Sequence, residues 1–236
     1  MKTRIIGIVT LFVMSGCAVA PNTVQTVNSL ESVGEKPRVL LMPPDVRYYL
    51  LTAGGVAEPH EEWTTAAQAN FRNEVRAFAA TRDASLVEAD RDSLSEEEIV
   101  YETLHSAVGT SLLIHHYGAL KLPSKNGRFD WSLGPGVSSL RKQYDADYAL
   151  FVHYRDYQAS GGRVAFAILA AAAGVGVGVG SESGFASLVD LDSGDIVWFN
   201  TVVAGSGELR DVDGASKTVA KLLDTMPRSQ VNGSTE

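Results

Sequence analysis

"DYALFVHYRDYQAS", residues 147–160, is the stretch that decides the expected fold, because it is the clearest strand in the chain. Aromatic and β-branched residues dominate it, and these side chains suit the half-buried surface of a β-sheet. Two similar runs, "GFASLVDL" (184–191) and "DIVWFNTVVAG" (195–205), follow it. They flank the turn sequence Asp-Ser-Gly-Asp at 192–195, where glycine accepts a left-handed backbone at low cost. The three runs therefore predict a strand followed by a β-hairpin.

Helical spacing of apolar residues marks four other segments. In residues 61–80, apolar residues recur at steps of four and three, which makes one helical face. They are Trp63, Ala67, Phe71, Val75 and Phe78. Ser95 followed by Glu98 is a capping-box pattern that opens a second helix. Residues 134–144 and 211–227 predict two more, the last with a capping aspartate at its start and a proline at its end.

Short apolar runs at residues 38–44 and 84–90 indicate two further strands. The predicted order is then strand, helix, strand, two helices, three strands and helix. This order predicts an α/β fold in which helices pack on a mixed β-sheet. Residues 37–227 are numerous enough to form a single domain with a sizeable core.

The amino terminus, "MKTRIIGIVTLFVMSGCAVAP", has the composition of a secretory signal. Lys2 and Arg4 precede an apolar stretch over residues 5–13, which is far too short to span a membrane. Residues 14–17, Met-Ser-Gly-Cys, resemble the bacterial lipobox, in which the cysteine becomes the acylated first residue of the mature chain. Because Cys17 is the single cysteine of the 236 residues, the chain has no intrachain disulfide.

We therefore expect residues 1–16 to be removed as a signal peptide and Cys17 to carry acyl chains such as palmitate, which anchor the protein in a bilayer. Ala18 stands where lipoproteins retained in the inner membrane commonly carry aspartate. By resemblance to proteobacterial lipoproteins, this favours the outer membrane, with the protein facing the periplasm. Residues 17–36 are polar and predict a flexible tether, and residues 228–236 predict a disordered tail.

The chain is acidic, with 20 lysines and arginines against 28 aspartates and glutamates and a net charge of −8. Removal of residues 1–16 takes Lys2 and Arg4 away, which leaves 18 basic against 28 acidic residues and a net charge of −10. Nucleic-acid binding needs a basic footprint, so no nucleic-acid partner is expected. The same acidity argues against electrostatic adsorption to anionic lipid.

Residues 164–180 form a Gly/Ala-rich insertion without a single charge. Its last part alternates glycine with valine, at Gly174, Gly176, Gly178 and Gly180. This spacing matches neither a dinucleotide-binding G-x-G-x-x-G nor a P-loop, so no phosphate site is expected. On a helix, Ala170, Gly174 and Gly178 would form a small-residue face for membrane or oligomer contact. An extended segment with valines on one side, or a buried or flexible structural loop, are the alternatives, and the spacing does not decide between them.

Other clusters of chemically active residues have ordinary structural explanations. His115 and His116 are adjacent, so they face different ways, and neither a cysteine nor an H-E-x-x-H motif accompanies them. Asp190, Asp192 and Gly194 superficially resemble a calcium loop, but the later acidic residue of that pattern is lacking and a hairpin turn explains them better. No catalytic residue, metal site or cofactor is therefore predicted.

Four features together are similar to a known family. They are the short strand that ends in prolines (38–44), "YDADYALFVHYRDY" (144–157) ahead of the insertion, "ASLVDLDSGDIVWFN" (186–200), and the closing amphipathic helix. These resemble envelope lipoproteins of the curli-secretion (CsgG-like) superfamily. The resemblance implies an anticodon-binding-domain-like α/β fold and a role in envelope assembly, and it carries over no catalytic residue. In that family, inserted segments build a membrane barrel from many subunits, and residues 164–180 are similar in placement.

The sequence thus predicts a lipid-anchored, periplasm-facing lipoprotein with a non-enzymatic role in envelope assembly, secretion or trafficking. It would act through contacts with envelope proteins and, in one version, with further copies of itself. The contact residues would then be Ala170 and the alternating glycines. The long connections 47–63 and 117–136 come second as partner surfaces, because binding function concentrates in loops. The alternative is a hydrolase or a small-ligand-binding domain whose site is assembled from dispersed residues.

Overall fold

The computed structural model describes residues 23–31, 36–82, 85–203 and 207–229. The predicted signal peptide and Cys17 lie outside these residues, so both stay predictions. No helix in the described ranges combines the length and the apolar character needed to cross a membrane.

Ten strands in the described residues form two sheets. They are β1 (Val24–Gln25), β2 (Ser29–Leu30), β3 (Arg38–Leu41), β4 (Asp45–Leu51), β5 (Ala57–Pro59), β6 (Ser85–Glu88), β7 (Tyr148–Ala159), β8 (Gly180–Asp190), β9 (Ile196–Val203) and β10 (Arg228–Ser229). The large sheet is mixed and has the order β1-β9-β8-β7-β3-β6. β4 pairs with β7 beyond the end of β3, and β5 pairs with β4. β2 and β10 form the small parallel sheet.

The described residues contain five α-helices, most of them at the predicted positions. They are α1 (Glu61–Thr81), α2 (Glu96–Leu112), α3 (Ser138–Tyr144), α4 (Gly161–Ala172) and α5 (Val212–Leu223). α2 opens with the predicted capping box, because the Ser95 hydroxyl accepts from the Glu98 N–H and the Glu98 carboxylate accepts from the Ser95 N–H. α5 begins after Asp211, whose carboxylate accepts from the Gly214 N–H, as the capping pattern predicted.

Helices cover both faces of the large sheet. α1 and α5 bury Phe71 and Val219 against one face. α2 and α3 bury Leu112 and Leu140 against the other. The predicted α/β class, with helices packed on a mixed β-sheet in a single domain, is confirmed.

The central strand β7 explains why the opening stretch decides the fold. Successive side chains of a strand point to opposite faces, and Leu150 and Val152 join the cluster under α1 and α5 while Ala149 and Phe151 join the cluster under α2 and α3. A strand that is buried on both faces must be apolar at consecutive positions. The run at residues 148–152 meets that requirement.

The prediction that residues 47–63 form a loop connection is wrong for the first part of this range, which belongs to strand β4. β3 stops before Met42-Pro43-Pro44, because proline has no N–H to donate to a sheet. The chain then resumes at Asp45 as β4, parallel to β7 over residues 153–159. The two prolines therefore interrupt the strand pairing along one side of β7, and β4 continues that pairing beyond them.

The predicted tether and tail are also partly wrong. Val24 pairs with Phe199 of β9, and Leu30 is buried in the main core. Arg228 and Ser229 at the other end pair with β2. The folded domain therefore extends beyond residues 37–227 at both ends, because short segments of low local propensity gain their order from pairing with distant strands.

Candidate interaction surface

An apolar arm, defined here as residues 161–179, connects β7 to β8. The two strands pair along their whole length up to Gln158 and Gly180, so the arm extends from the tip of the longest hairpin in the described sheet. Its first part is α4, and its last part, residues 175–179, has no regular secondary structure. The helical alternative therefore holds for the first part of the arm, and the last part is a loop.

The helix of the arm ends in a defined cap. The Gly174 N–H donates to the carbonyl of Ala171, and the Val175 N–H donates to that of Ala170. Gly174 itself has a φ of 80°, the left-handed conformation that this type of helix end requires. The predicted helical face of Ala170, Gly174 and Gly178 is therefore wrong, because the helix stops before the second and third of these residues.

Three further glycines in and beside the arm differ in their surroundings. Gly180 has a φ of 149°, and a Cβ there would lie 2.6 Å from the carbonyl oxygen of Tyr157, so only glycine fits. Gly176 and Gly178 have open space around their Cα atoms. Packing inside the chain therefore explains Gly180 but not Gly176 or Gly178, whose backbone is accessible from outside.

The arm exposes large apolar side chains. They are Val164 (41%), Phe166 (50%), Ile168 (66%), Leu169 (71%), Val175 (55%) and Val179 (54%). Within α4, whose residues are all described, Ala167 alone is buried. No charged residue lies between Arg163 and Glu182. The six side chains together expose on the order of 600 Å², as much as the largest apolar patch of an ordinary monomer.

The sequence identified this region but not its most exposed residues. Ala170 and the glycines were singled out for their small size, whereas Phe166, Ile168 and Leu169 carry much of the exposed apolar area. The available signal was the unbroken apolar run at residues 164–169, which has no polar side. A helix that is apolar on most of its circumference is normally buried or in contact with a partner.

A polar cluster lies where α2 covers the sheet. Nδ1 of His153 is 3.1 Å from Oδ2 of Asp45 and 3.0 Å from Oγ of Ser106. Nη2 of Arg155 lies 2.6 Å from the same Asp45 oxygen. Burial alone would raise the pKa of Asp45, but the hydrogen bonds and charges of His153 and Arg155 hold it well below its usual range.

This cluster has the residue types of a hydrolase triad but not its geometry. A catalytic histidine uses one ring nitrogen for the nucleophile and the other for the carboxylate. Here Ser106 and Asp45 contact the same nitrogen of His153. The arrangement therefore supplies no route for a proton from the hydroxyl through the ring to the carboxylate.

A second histidine is part of the core. Nε2 of His105 lies 2.9 Å from Oγ of Ser187, and both residues are buried. Burial, with a smaller contribution from His153, lowers the pKa of His105 to about 3. His105 is therefore neutral at physiological pH and satisfies its hydrogen bond inside the protein, away from solvent.

An acidic group lies on the opposite face of the sheet. Asp156 of β7 is buried and accepts a hydrogen bond of 2.8 Å from Nε2 of Gln158. Burial, reinforced by the charges of Glu208 and Glu182, raises the pKa of Asp156 to about 6. Across the described ranges, no group of three or more His, Cys, Asp or Glu side chains is arranged to hold a metal ion.

A cleft of about 320 Å³ opens between β4 and the start of α1. Its arginines are already paired, since Nε of Arg47 lies 3.0 Å from Oδ1 of Asp45 and Nη2 of Arg91 lies 3.2 Å from Oε1 of Glu102. The paired charges leave the cleft without a strong excess of either sign. A small-ligand site, the alternative from the sequence, could use this cleft or a second one of about 360 Å³ beside Arg82 and Arg228.

The remaining motifs occupy structural positions. Asp190 Oδ1 accepts from the N–H groups of Asp192 and Ser193, and Gly194 has a φ of 82°, so the hairpin interpretation of this turn is confirmed. His115 lies on a π-helical turn, Leu113–Tyr117, and its Nδ1 is 2.6 Å from the carbonyl oxygen of Leu120.

Neither a protein-family model nor a curated protein matches the chain. Among solved structures, a PelC dodecamer from Paraburkholderia phytofirmans is 13% identical, with a TM-score of 0.36 over 86% of this chain and 96% of that chain. A single-residue variant of that PelC, also a dodecamer, is 14% identical, with a TM-score of 0.37 and the same coverage. Similarity at this level carries no inference about function.

Proposed function

We propose that this chain is a lipid-anchored lipoprotein of the bacterial envelope that acts through protein contacts, with the apolar arm as its contact surface. Cys17 would hold the anchor, and the residue that follows it favours the periplasmic side of the outer membrane. The observation that carries the proposal is the exposure of six large apolar side chains within residues 164–179, which carry no charge.

Self-association is the contact that the arm supports best. Covering about 600 Å² of apolar surface favours association by ~25 cal/mol per Å², before the cost of joining two molecules is subtracted. A non-catalytic role is supported by the shared nitrogen of His153, which leaves Ser106 without a separate base. Membership of the curli-secretion superfamily stays a prediction.

The contact proposal is tested by the mass of the full-length protein, extracted from membranes in mild detergent and measured by light scattering. We expect the wild type to be larger than the 25.2 kDa chain and an I168S/L169S variant to be monomeric. Val212→Ser is the matched control, because Val212 is equally exposed (61%) but lies on α5. A monomeric wild type, or an arm variant that assembles normally, would contradict the proposal.

The anchor is tested separately by metabolic labelling with palmitate. We expect the wild type to be labelled and to sediment with membranes, and Cys17→Ser to lose both properties. A C17S chain that still incorporates label would contradict lipidation at this residue.

A further inference from the structure

The outward face of α2 is a second exposed surface, and it lacks charge from Ile99 onward. Its members are Ile99, Val100, Thr103, Ala107 and Thr110, followed by Ile114 on the π-helical turn after α2, and all of them are exposed. The period of 3.6 residues per turn places these positions on one side of the helix. An outward helix face in a soluble domain normally carries charged residues. This stripe, called here the α2 outer face, has none over about three turns from Ile99 to Thr110, and the exposed Glu96 lies at its N-terminal end.

The polar atoms of this face are already satisfied. Oγ1 of Thr103 donates to the carbonyl of Ile99 at 3.2 Å, and Oγ1 of Thr110 donates to that of Ser106 at 2.8 Å. Hydroxyls bonded to the preceding helical turn need no further acceptor from water or a partner. Together with Ile99 (49% exposed) and Ile114 (43%), they give a surface that behaves as apolar.

We infer that the α2 outer face receives the apolar arm of a neighbouring copy, so that each copy gives one arm and accepts another. This inference rests on the proposed function, because it names the partner of the arm. One copy would place Phe166 and Leu169 against the small residues Thr103, Ala107 and Thr110 of the next. Large side chains of one helix pack into the groove that small side chains leave on another.

Charge favours a second copy as the occupant. Copies of a chain with a net charge of −8 repel each other over most of their surface. Contact is least opposed where both surfaces lack charge, and residues 164–179 of the arm and the α2 outer face meet this condition. The exposed alanines and glycines of the arm add to its large side chains, which brings its area close to the ~800 Å² that each partner contributes to a standard interface.

Covering both surfaces requires a head-to-tail contact. Pairing two arms would leave the α2 outer face of each copy exposed to water. An arm on a neighbouring α2 covers both surfaces in one contact, and such a heterologous interface produces a closed ring or an open filament. The geometry therefore points to an assembly larger than a dimer.

The test uses opposite charges on the two surfaces of the full-length protein in detergent. Leu169→Lys disables the arm and Ala107→Glu disables the α2 outer face. We expect each variant to lose the assembly of the wild type at a concentration where the wild type is fully associated. A mixture of the L169K and A107E chains should regain association, because each retains the surface that the other lacks.

Ala80→Glu is the matched control, since it makes the same change at an exposed position of α1. It should assemble like the wild type, and thermal melting should show that all variants are folded. If A107E assembles like the wild type while L169K does not, the arms pair with each other or with another site. That result would overturn this inference but leave the proposed function standing. A wild type that is monomeric would overturn both.

Discussion

Nη2 of Arg155 lies 2.6 Å from Oδ2 of Asp45, and both side chains are largely shielded from solvent. This pair ties the first residue of β4 to the middle of β7. Arg47 and His153 contact the same carboxylate, so Asp45 balances two guanidinium groups and an imidazole. Its folded-state pKa is lowered, so the stability that it contributes is present at neutral pH and is lost progressively as pH falls from the unfolded-state pKa to the lower folded-state one.

We expect Asp45→Asn to lower the free energy of unfolding by about 2 kcal/mol at neutral pH, because the shielded guanidinium group of Arg155 loses a charged acceptor. Urea unfolding monitored by circular dichroism measures the change. Glu58→Gln, which neutralises an exposed carboxylate on the adjacent β5, is the control and should have little effect. Equal stability of D45N and the wild type would show that the cluster does not hold β4 to β7.

Asp156 should make the protein less stable as pH rises. Its folded-state pKa is about 6, whereas an unfolded aspartate titrates near 3.9. Between these values the folded state keeps a proton that the unfolded state has lost, so the free energy of unfolding falls with rising pH. The total loss on passing from below the lower value to above the higher one is up to about 3 kcal/mol.

The measurement is urea unfolding at pH values of about 4.5 and about 7.5, on either side of the folded-state pKa. Asp156→Asn should flatten the dependence, because the amide is neutral at both pH values. Asp192→Asn, at an exposed turn position, should keep the slope of the wild type. A D156N chain with an unchanged slope would assign the pH dependence to other groups.

Gly109 allows α2 to approach β8 closely. A Cβ at this position would overlap the ring of Phe185. We expect Gly109→Ala to lower the free energy of unfolding by about 2 kcal/mol, although alanine favours helix, because overpacking a core is costly. Gly162→Ala in α4 is the control, since its Cβ would meet Ala53 at an ordinary 3.4 Å. If G109A were as stable as the control, α2 would not be packed as closely as described.

The apolar side chains of the arm should contribute little to folding. In the monomeric I168S/L169S variant, we expect each substitution to change the free energy of unfolding by less than about 0.5 kcal/mol, because both side chains are mostly exposed. Leu150→Ala provides the contrast, and deletion of this buried side chain should cost about 3 kcal/mol. An arm variant as unstable as L150A would mean that the arm belongs to the core.

Several elements could be predicted from the sequence because their signals are local. The capping box of Ser95 and Glu98 and the turn at Asp190 depend on residues within a few positions of each other. β4 could not be predicted in the same way. Its pairing is with residues 153–159 of β7, more than a hundred positions away, and two prolines before Asp45 suggest an end instead of an interruption.

Some features of the arm also follow from local sequence, whereas others depend on distant parts of the chain. The sequence by itself determined that residues 164–180 are apolar and uncharged. It also determined that a glycine was available at position 174 to end a helix. Both features depend on residue type and local backbone freedom alone. Only the tertiary structure decided that Phe166, Ile168 and Leu169 stay exposed while Ala167 is covered. Exposure depends on which distant elements pack against a segment, and that cannot be obtained from the segment alone.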